Sequence, residues 1–379
     1  MSEAVTIYRY RQLTPFTTQG SGTAQWCVGE WNDRPYFIKE FLSPTLPPAD
    51  ADPDSPVTRS RRDACITFYH AKKRLYQTLQ AVNNGCLICP DSDDSLFVFE
   101  GHYVAVSPFI TPDVKPEAIC TLTPHERLVL MRTLMLSMSG IHEAGIVHSD
   151  VKLDNLMVTR NATGAPNLKL IDFDSAFFLD TPPASPEEIH GDFVYLAPET
   201  LACLDGEPIR LTDKIDIFAL GLVLHQMGCG ELPRFDGSLY KCAGEAALDG
   251  SPVTPVPSLP PPLRAIIAAM LHPDPAARPS ARQVYDQLGL LLFPQADQAV
   301  TDVPPPPPAE SPVIPAPEES PDPLPPSRPV PEALAPPPVS RPALAPDAKR
   351  KDRGGLVLAA AAIVLLLSAV ILILFIIGR

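Results

Sequence analysis

Apolar and polar residues alternate in two early segments, Ala24 to Trp31 (AQWCVGEW) and Pro35 to Phe41 (PYFIKEF), which is the two-residue period of half-buried strands. A helical period takes over at Arg61 to Asn84 (RRDACITFYHAKKRLYQTLQAVNN) and returns after Thr123. There TPHERLVLMRTLMLSMSGIHEAG opens with Thr123, Pro124 and Glu126, a capping box with proline in the first turn. Between the first strands and the first helix, Ser43 to Ser60 (SPTLPPADADPDSPVTRS) reads as a loop rich in Pro and Asp. Further on, NLMV at Asn155 to Val158 and NLKLI at Asn167 to Ile171 flank TRNATGAP and predict a β-hairpin. Strands first and helices later predict an α+β architecture, a small β-rich lobe joined to a larger α-rich one.

The pattern breaks near the end of the chain. Nineteen of the 47 residues from Thr301 to Asp347 are proline, which removes backbone donors and favours extended polyproline conformation. Such a disordered stalk would reach on the order of 150 Å at about 3.1 Å per residue, and PPPPP at Pro304 to Pro308 also suits a proline-binding module. From Leu356 to Ile377 run 22 residues without a charge (LVLAAAAIVLLLSAVILILFII). At about 1.5 Å rise per residue they span a hydrocarbon layer of about 30 Å, so a transmembrane helix is expected. Lys349, Arg350, Lys351 and Arg353 precede it and only Gly378 and Arg379 follow, which puts the N-terminal bulk on the cytoplasmic face. The expected organisation is a folded domain at 1–295, a Pro-rich linker at 296–348, a basic juxtamembrane stretch at 349–355 and a single-pass tail anchor at 356–377. Small residues at Ala359 to Ala362 would let two such helices pack closely, and they are also routine in membrane spans, so a homodimer stays open beside a monomer.

Composition narrows the partners. A chain of 379 residues, 45% hydrophobic, can bury one large core. A net charge of −14 argues against nucleic acid, whose binding rests on clustered Lys and Arg, and leaves proteins and small molecules. Of eight cysteines only Cys86 and Cys89 form a C-x-x-C, and no second pair completes a zinc site, so both are expected as core thiols in a reducing compartment. The polar opening MSEAVTIYRYRQLTPF is not expected to act as a signal peptide.

Candidate chemistry concentrates in HSDVKLDN, His148 to Asn155, and in IDFD, Ile171 to Asp174. The hairpin between them would carry Asp172 back beside Asn155, so that two hard oxygen ligands face one pocket. Mg²⁺ takes few protein oxygens and leaves its other positions to water and phosphates, which suits an Asn with an Asp. Asp150 is then free to accept a hydroxyl proton, and Lys152 can neutralise charge on a transferred phosphoryl group.

This arrangement resembles the protein kinase family over residues 10 to 290. The motifs follow in order: GSGTAQ at Gly20 to Gln25, FIK ending at Lys39, HSDVKLDN, DFD at Asp172 to Asp174, APE at Ala197 to Glu199, DIFALG at Asp216 to Gly221, and Arg278 in PAARPSA. The resemblance implies a two-lobed kinase fold, with an N-lobe of about 1–108 and a C-lobe of about 109–295. It implies ATP and Mg²⁺ as cofactors and proteins as substrates. Lys39 would hold the α and β phosphates, Gly20 and Gly22 would close the backbone over them, Asn155 and Asp172 would bind Mg²⁺, and Asp150 would orient the acceptor hydroxyl. Asp216 would brace the catalytic loop, Glu199 and Arg278 would form a buried ion pair, and a hinge at Ser107 to Phe109 would meet adenine. Lys152 after Asp150 is the serine/threonine pattern. With the anchor, these features imply a bacterial-type, membrane-tethered serine/threonine kinase of the inner membrane; the alternative is a membrane-anchored pseudokinase scaffold.

Four positions depart from the family pattern. No acid lies between Asp63 and Asp91, so the helix glutamate that should pair with Lys39, expected near Tyr69 to Ala71, is missing. Asp172 and the nucleotide are the obvious substitutes. Asp174 stands where glycine is usual; it is expected as a solvated residue that tolerates glycine, with stiffening of the loop or a place in the metal shell as alternatives. Ser149 replaces the arginine that grips a phosphorylated activation loop, so activation is expected not to need a loop phosphate, although Thr181 and Ser185 are candidate sites. Gln25 replaces the third loop glycine.

Overall fold

The computed structural model describes residues 6–19, 24–91 and 93–293. Gly20, Gly22, the Pro-rich linker and the apolar span at 356–377 lie outside the described residues. Among the described residues, no helix is long and apolar enough to cross a membrane.

The small lobe is a six-stranded sheet in the order β1-β2-β3-β4-β6-β5. Its strands are β1 (Thr6–Ile7), β2 (Tyr10–Gln12), β3 (Ala24–Trp31), β4 (Arg34–Thr45) and, after helix α1 (Pro56–Val82), β5 (Leu96–Phe99) and β6 (His102–Pro108). The alternation seen in the sequence sorts the side chains: Cys27, Ile38, Val104 and Val106 pack with Ile7 and Tyr10 on one face, while Ala24, Phe41 and Ala105 join the main core from the other. Asn32 and Asp33 close the β3–β4 hairpin with φ of 52° and 58°, the left-handed pair that a two-residue turn needs. The expected loop at Ser43 to Ser60 is shorter at both ends, because β4 runs on to Thr45 and α1 already begins at Pro56. Proline fits the first helical turn, where its missing N–H has no partner to lose. The buried stripe of α1 holds Cys65, Lys72, Leu75, Tyr76 and Leu79.

The large lobe is built on two helices. Helix α2 (Pro124–Glu143) carries the predicted capping box between Thr123 and Glu126. After β7 (Ile146–Val147), β8 (Leu156–Arg160) and β9 (Pro166–Leu170) pair antiparallel with Leu156 opposite Leu170, which is the expected hairpin. Strand β10 (Phe177–Phe178) returns to β7. Helices α3 (Pro198–Leu204), α4 (Lys214–Cys229), α5 (Ala243–Leu248), α6 (Pro261–Met270) and α7 (Ala281–Leu292) complete the lobe. Helix α4 is buried on every side from Ile215 to His225, which marks it as the central core helix. Cys86 and Cys89 are buried free thiols, as expected.

The expected ion pair is present. Arg278 donates Nη1 to Glu199 Oε1 at 2.7 Å and Nη2 to Oε2 at 2.9 Å, and its other N–H groups meet the carbonyls of Lys214, His272 and Pro273. Two buried charges are tolerated because every donor of the fork is paired. Glu199→Ala strands the guanidinium and is expected to cost about 3–5 kcal/mol, read from the urea midpoint of the purified chain; an unchanged midpoint would show that the pair contributes nothing.

Candidate active site

The loop from His148 to Asn155 gets its shape from one buried carboxylate. Asp216, near the start of α4 and 1% exposed, accepts the N–H of His148 at 2.8 Å and of Ser149 at 2.9 Å, and His142 Nε2 of α2 lies 2.9 Å from it. These bonds hold Ser149 at φ 67°, a left-handed conformation that a side chain disfavours. Beyond that kink the Asp150 carboxylate takes Lys152 Nζ on Oδ2 at 2.9 Å and the Asp192 N–H on Oδ1 at 3.0 Å. Asn155 Nδ2 donates to the Asp150 carbonyl at 2.8 Å and to Oδ2 at 3.2 Å, which leaves the Asn155 amide oxygen free to ligate. Across the hairpin, Ile171 N–H donates to the Asn155 carbonyl at 3.0 Å. Asp172 therefore returns beside Asn155, with φ 62°.

Burial works against a charged Lys152, but the hydrogen bond and charge of Asp150 outweigh it and hold the ammonium above its usual pKa. Lys39, central in β4, behaves likewise: burial opposes its charge, while Asp174 and then Asp172 more than compensate. Its Nζ lies 2.6 Å from Asp174 Oδ2 and 3.1 Å from Asp172 Oδ1. Asp174 is in turn held by Lys72 of α1, whose Nζ lies 3.5 Å from Oδ1 and donates to the Asp174 carbonyl at 3.1 Å. Burial would push the Asp174 carboxyl up, yet Lys72 and Lys39 together hold it below the carboxylate range.

Asp174 is thus not the solvated residue that the sequence suggested; its side chain is 21% exposed and bridges two lysines. Lys72 was missed altogether. It falls seven residues after Cys65 and seven before Leu79, on the buried stripe of α1, and that spacing was the available signal. A cation on an apolar stripe requires an anion opposite. The expectation that Asp172 substitutes for the missing glutamate holds in part, since Asp172 and Asp174 share Lys39.

Lys39, Lys152, Asn155 and Asp172 line one cavity of about 470 Å³, the size of small-molecule sites. Trp26 and Phe37, stacked with ring centroids 5.3 Å apart, line it from the small lobe and Met157 from the large one. Burial pushes the Cys89 thiol, also on the wall, up to about 11, so it lines the cavity as a neutral group. The cavity reaches the expected hinge at Ser107 to Phe109. Pro108 has no N–H and Phe109 donates its own to the Pro35 carbonyl at 3.2 Å, so these two residues present only carbonyl acceptors to a base. Gln25 donates to Glu40 at 2.7 Å, a use of its side chain that glycine lacks. Among the described residues no cluster of three His, Cys, Asp or Glu could hold a metal. The free Asn155 oxygen and the Asp172 carboxylate nevertheless form the sparse, hard donor set that fits Mg²⁺ shared with phosphates.

The segment leading to α3 closes on the loop through one neutral contact and one amide–carboxylate bond. Ser149 Oγ donates to the His190 carbonyl at 3.4 Å, where an arginine would need a phosphate. Sequence reasoning also missed Asp192, whose amide caps the Asp150 carboxylate. Only glycine fits between them: a Cβ on Gly191, at φ 156°, would lie 2.9 Å from the Ser149 carbonyl.

The chain is similar to known proteins over part of its length. Residues 94–288 match the protein kinase domain. "Probable serine/threonine-protein kinase 2" of Plasmodium falciparum is 37% identical over 111 residues, which are 29% of this chain and 20% of that protein. "Wee1-like protein kinase" of Oryza sativa subsp. japonica is 33% identical over 159 residues, 42% and 27% of the two chains. "Serine/threonine-protein kinase pkn3" of Myxococcus xanthus is 25% identical over 160 residues, 41% and 29%. The matched region thus spans less than a third of each of these relatives. The solved structure of the Cydia pomonella granulovirus kinase PK-1 shares the fold, with a TM-score of 0.51 over 74% of this chain and 92% of that one, at 18% identity.

Gly191→Ala is expected to push the segment off Asp150, at about 1–3 kcal/mol of backbone strain and contact. Hydrogen–deuterium exchange should then show the Asp192 amide exchanging faster than in the unaltered chain; equal protection would mean that the segment absorbs a methyl group without moving.

Proposed function

The chain belongs to the protein kinase family, and from that premise we propose that it transfers the γ-phosphoryl group of ATP to serine and threonine hydroxyls of proteins. The observation that carries this reading is the hydrogen-bonded set of Asp150, Lys152 and Asn155, set beside the Lys39–Asp172 pair at one cavity of nucleotide size. The Asn155 amide oxygen and Asp172 would hold Mg²⁺, which would supply charge neutralisation for the phosphates. Lys39 binds the α and β phosphates. Asp150 accepts the hydroxyl proton as the acceptor oxygen bonds to the γ-phosphorus and the bridging bond to the β-phosphate breaks. Lys152, already an ammonium, offsets charge on the transferred group and keeps Asp150 aimed.

Lys152 supports an aliphatic hydroxyl as acceptor, and the names of relatives from Plasmodium and Myxococcus agree with serine/threonine use. The neutral Ser149–His190 contact favours activity without a loop phosphate. The uncharged span at 356–377, behind four basic residues, supports a single-pass anchor that keeps the kinase at the cytoplasmic face of a membrane, the inner membrane in a bacterium.

With labelled ATP and Mg²⁺, the purified full-length chain should phosphorylate a generic protein substrate, and Asp150→Ala and Lys39→Ala should each lower the rate by at least about a hundredfold. ATP binding without Asp150-dependent transfer would instead make the protein a nucleotide-binding scaffold. In a membrane preparation the chain should resist alkaline carbonate extraction, and removal of residues 349–379 should release it; extraction of the intact chain would refute the anchor.

A further inference from the structure

Two oddities of the sequence meet at one point. Helix α1 lacks the acid that the family pattern places opposite Lys39, and the loop after β9 carries an acid, Asp174, where that pattern has glycine. One residue past the stretch where the missing acid is expected stands Lys72, 9% exposed, its ammonium 5.3 Å above the ring of Phe41 and 5.9 Å from that of Phe68. The Asp174 carboxylate lies between the two cations, with Oδ2 at 2.6 Å from Lys39 and Oδ1 at 3.5 Å from Lys72.

We propose that the counter-ion of Lys39 has moved from helix to loop, so that Asp174, clamped by Lys72, is the positioning residue that sets Lys39 for the phosphates. Rested on the phosphoryl-transfer reading, the proposal says how that site is assembled.

The charge count supports it. Lys72, Asp174, Lys39 and Asp172 form a chain of two cations and two anions, neutral as a unit. Once Asp172 serves a metal ion, the remaining three groups carry one net positive charge, available to phosphate. Without Asp174, two ammonium groups would share a water-poor wall with no anion between them. Lys72 must therefore either leave its apolar site or repel Lys39. The relocation has a mechanical consequence as well. An acid on the helix pairs Lys39 with α1 alone, whereas an acid two residues after Asp172 ties Lys39, α1 and the metal-binding loop into one unit. Helix and loop are then set together, and the Lys72 bond to the Asp174 carbonyl at 3.1 Å fixes the loop backbone as well as its side chain.

The test is a charge exchange in the full-length chain, comparing Asp174→Gly, Asp174→Asn, Lys72→Glu and the double variant Lys72→Glu/Asp174→Gly. Three readouts are taken: kcat and KM for ATP, equilibrium binding of a fluorescent ATP analogue, and the thermal midpoint. Each single variant should lose at least tenfold in kcat/KM, Asp174→Asn included because it keeps the shape and removes the charge. The double variant, with Glu on the helix facing Lys39, should recover to within a few fold of the unaltered chain, in analogue binding as well as in turnover. Full activity in folded Asp174→Gly, or a folded double variant no better than the worse single one, would overturn the proposal. If a single variant fails to fold, recovery in the double variant still decides, and if the double fails, Asp174→Asn decides by its analogue affinity. Should the unaltered chain bind the analogue without transferring phosphate, the function proposed above fails, while the pattern of analogue affinities across the four variants still accepts or rejects the role of Asp174.

Discussion

A carboxylate between two ammonium groups at the meeting of the lobes is the constraint on which the site depends. Lys39 comes from the sheet, Lys72 from the helix packed on it, and Asp174 from the loop of the large lobe. None of the three would stay charged and buried alone, because the cost of leaving water is recovered only when opposite charges meet. Their pairing therefore couples strand, helix and loop through side-chain charges, with the Lys72 bond to the Asp174 carbonyl as the one contact to backbone among them. The wall they form is the one that Asp172 and Asn155 complete.

The large lobe supplies the rigidity against which that wall is set. Asp216 holds two consecutive amides of the loop from His148 to Asn155, and the left-handed Ser149 persists because both bonds would be lost on relaxation. The Asp192 amide and Lys152 then occupy different oxygens of Asp150, so the carboxylate has one orientation. Farther out, the forked pair of Arg278 and Glu199 ties the segment before α7 to α3. Asp216 and the Arg278–Glu199 pair are buried, and each is held by hydrogen bonds from more than one element.

Much of this was legible along the chain. The alternation of AQWCVGEW, the capping box at Thr123 and the paired apolar segments around TRNATGAP are local patterns, decided by backbone period and side-chain chemistry within a few residues. Asp150, Lys152, Asn155 and Asp172 could be nominated because their spacing puts them on one turn and one hairpin. The boundaries of the loop before α1 could not be placed, because Pro56 reads equally as a loop residue and as the first residue of a helix.

The sequence by itself determined the two-lobed class, the loop from His148 to Asn155 and the hairpin that returns Asp172 beside it, since each is written in contiguous residues. Only the tertiary structure decided what Lys39 pairs with. Lys72 and Asp174 are 102 positions apart, and their attraction acts through space, so no local pattern reports it. The absent acid and the added acid looked like two separate defects until the fold placed both beside the same lysine.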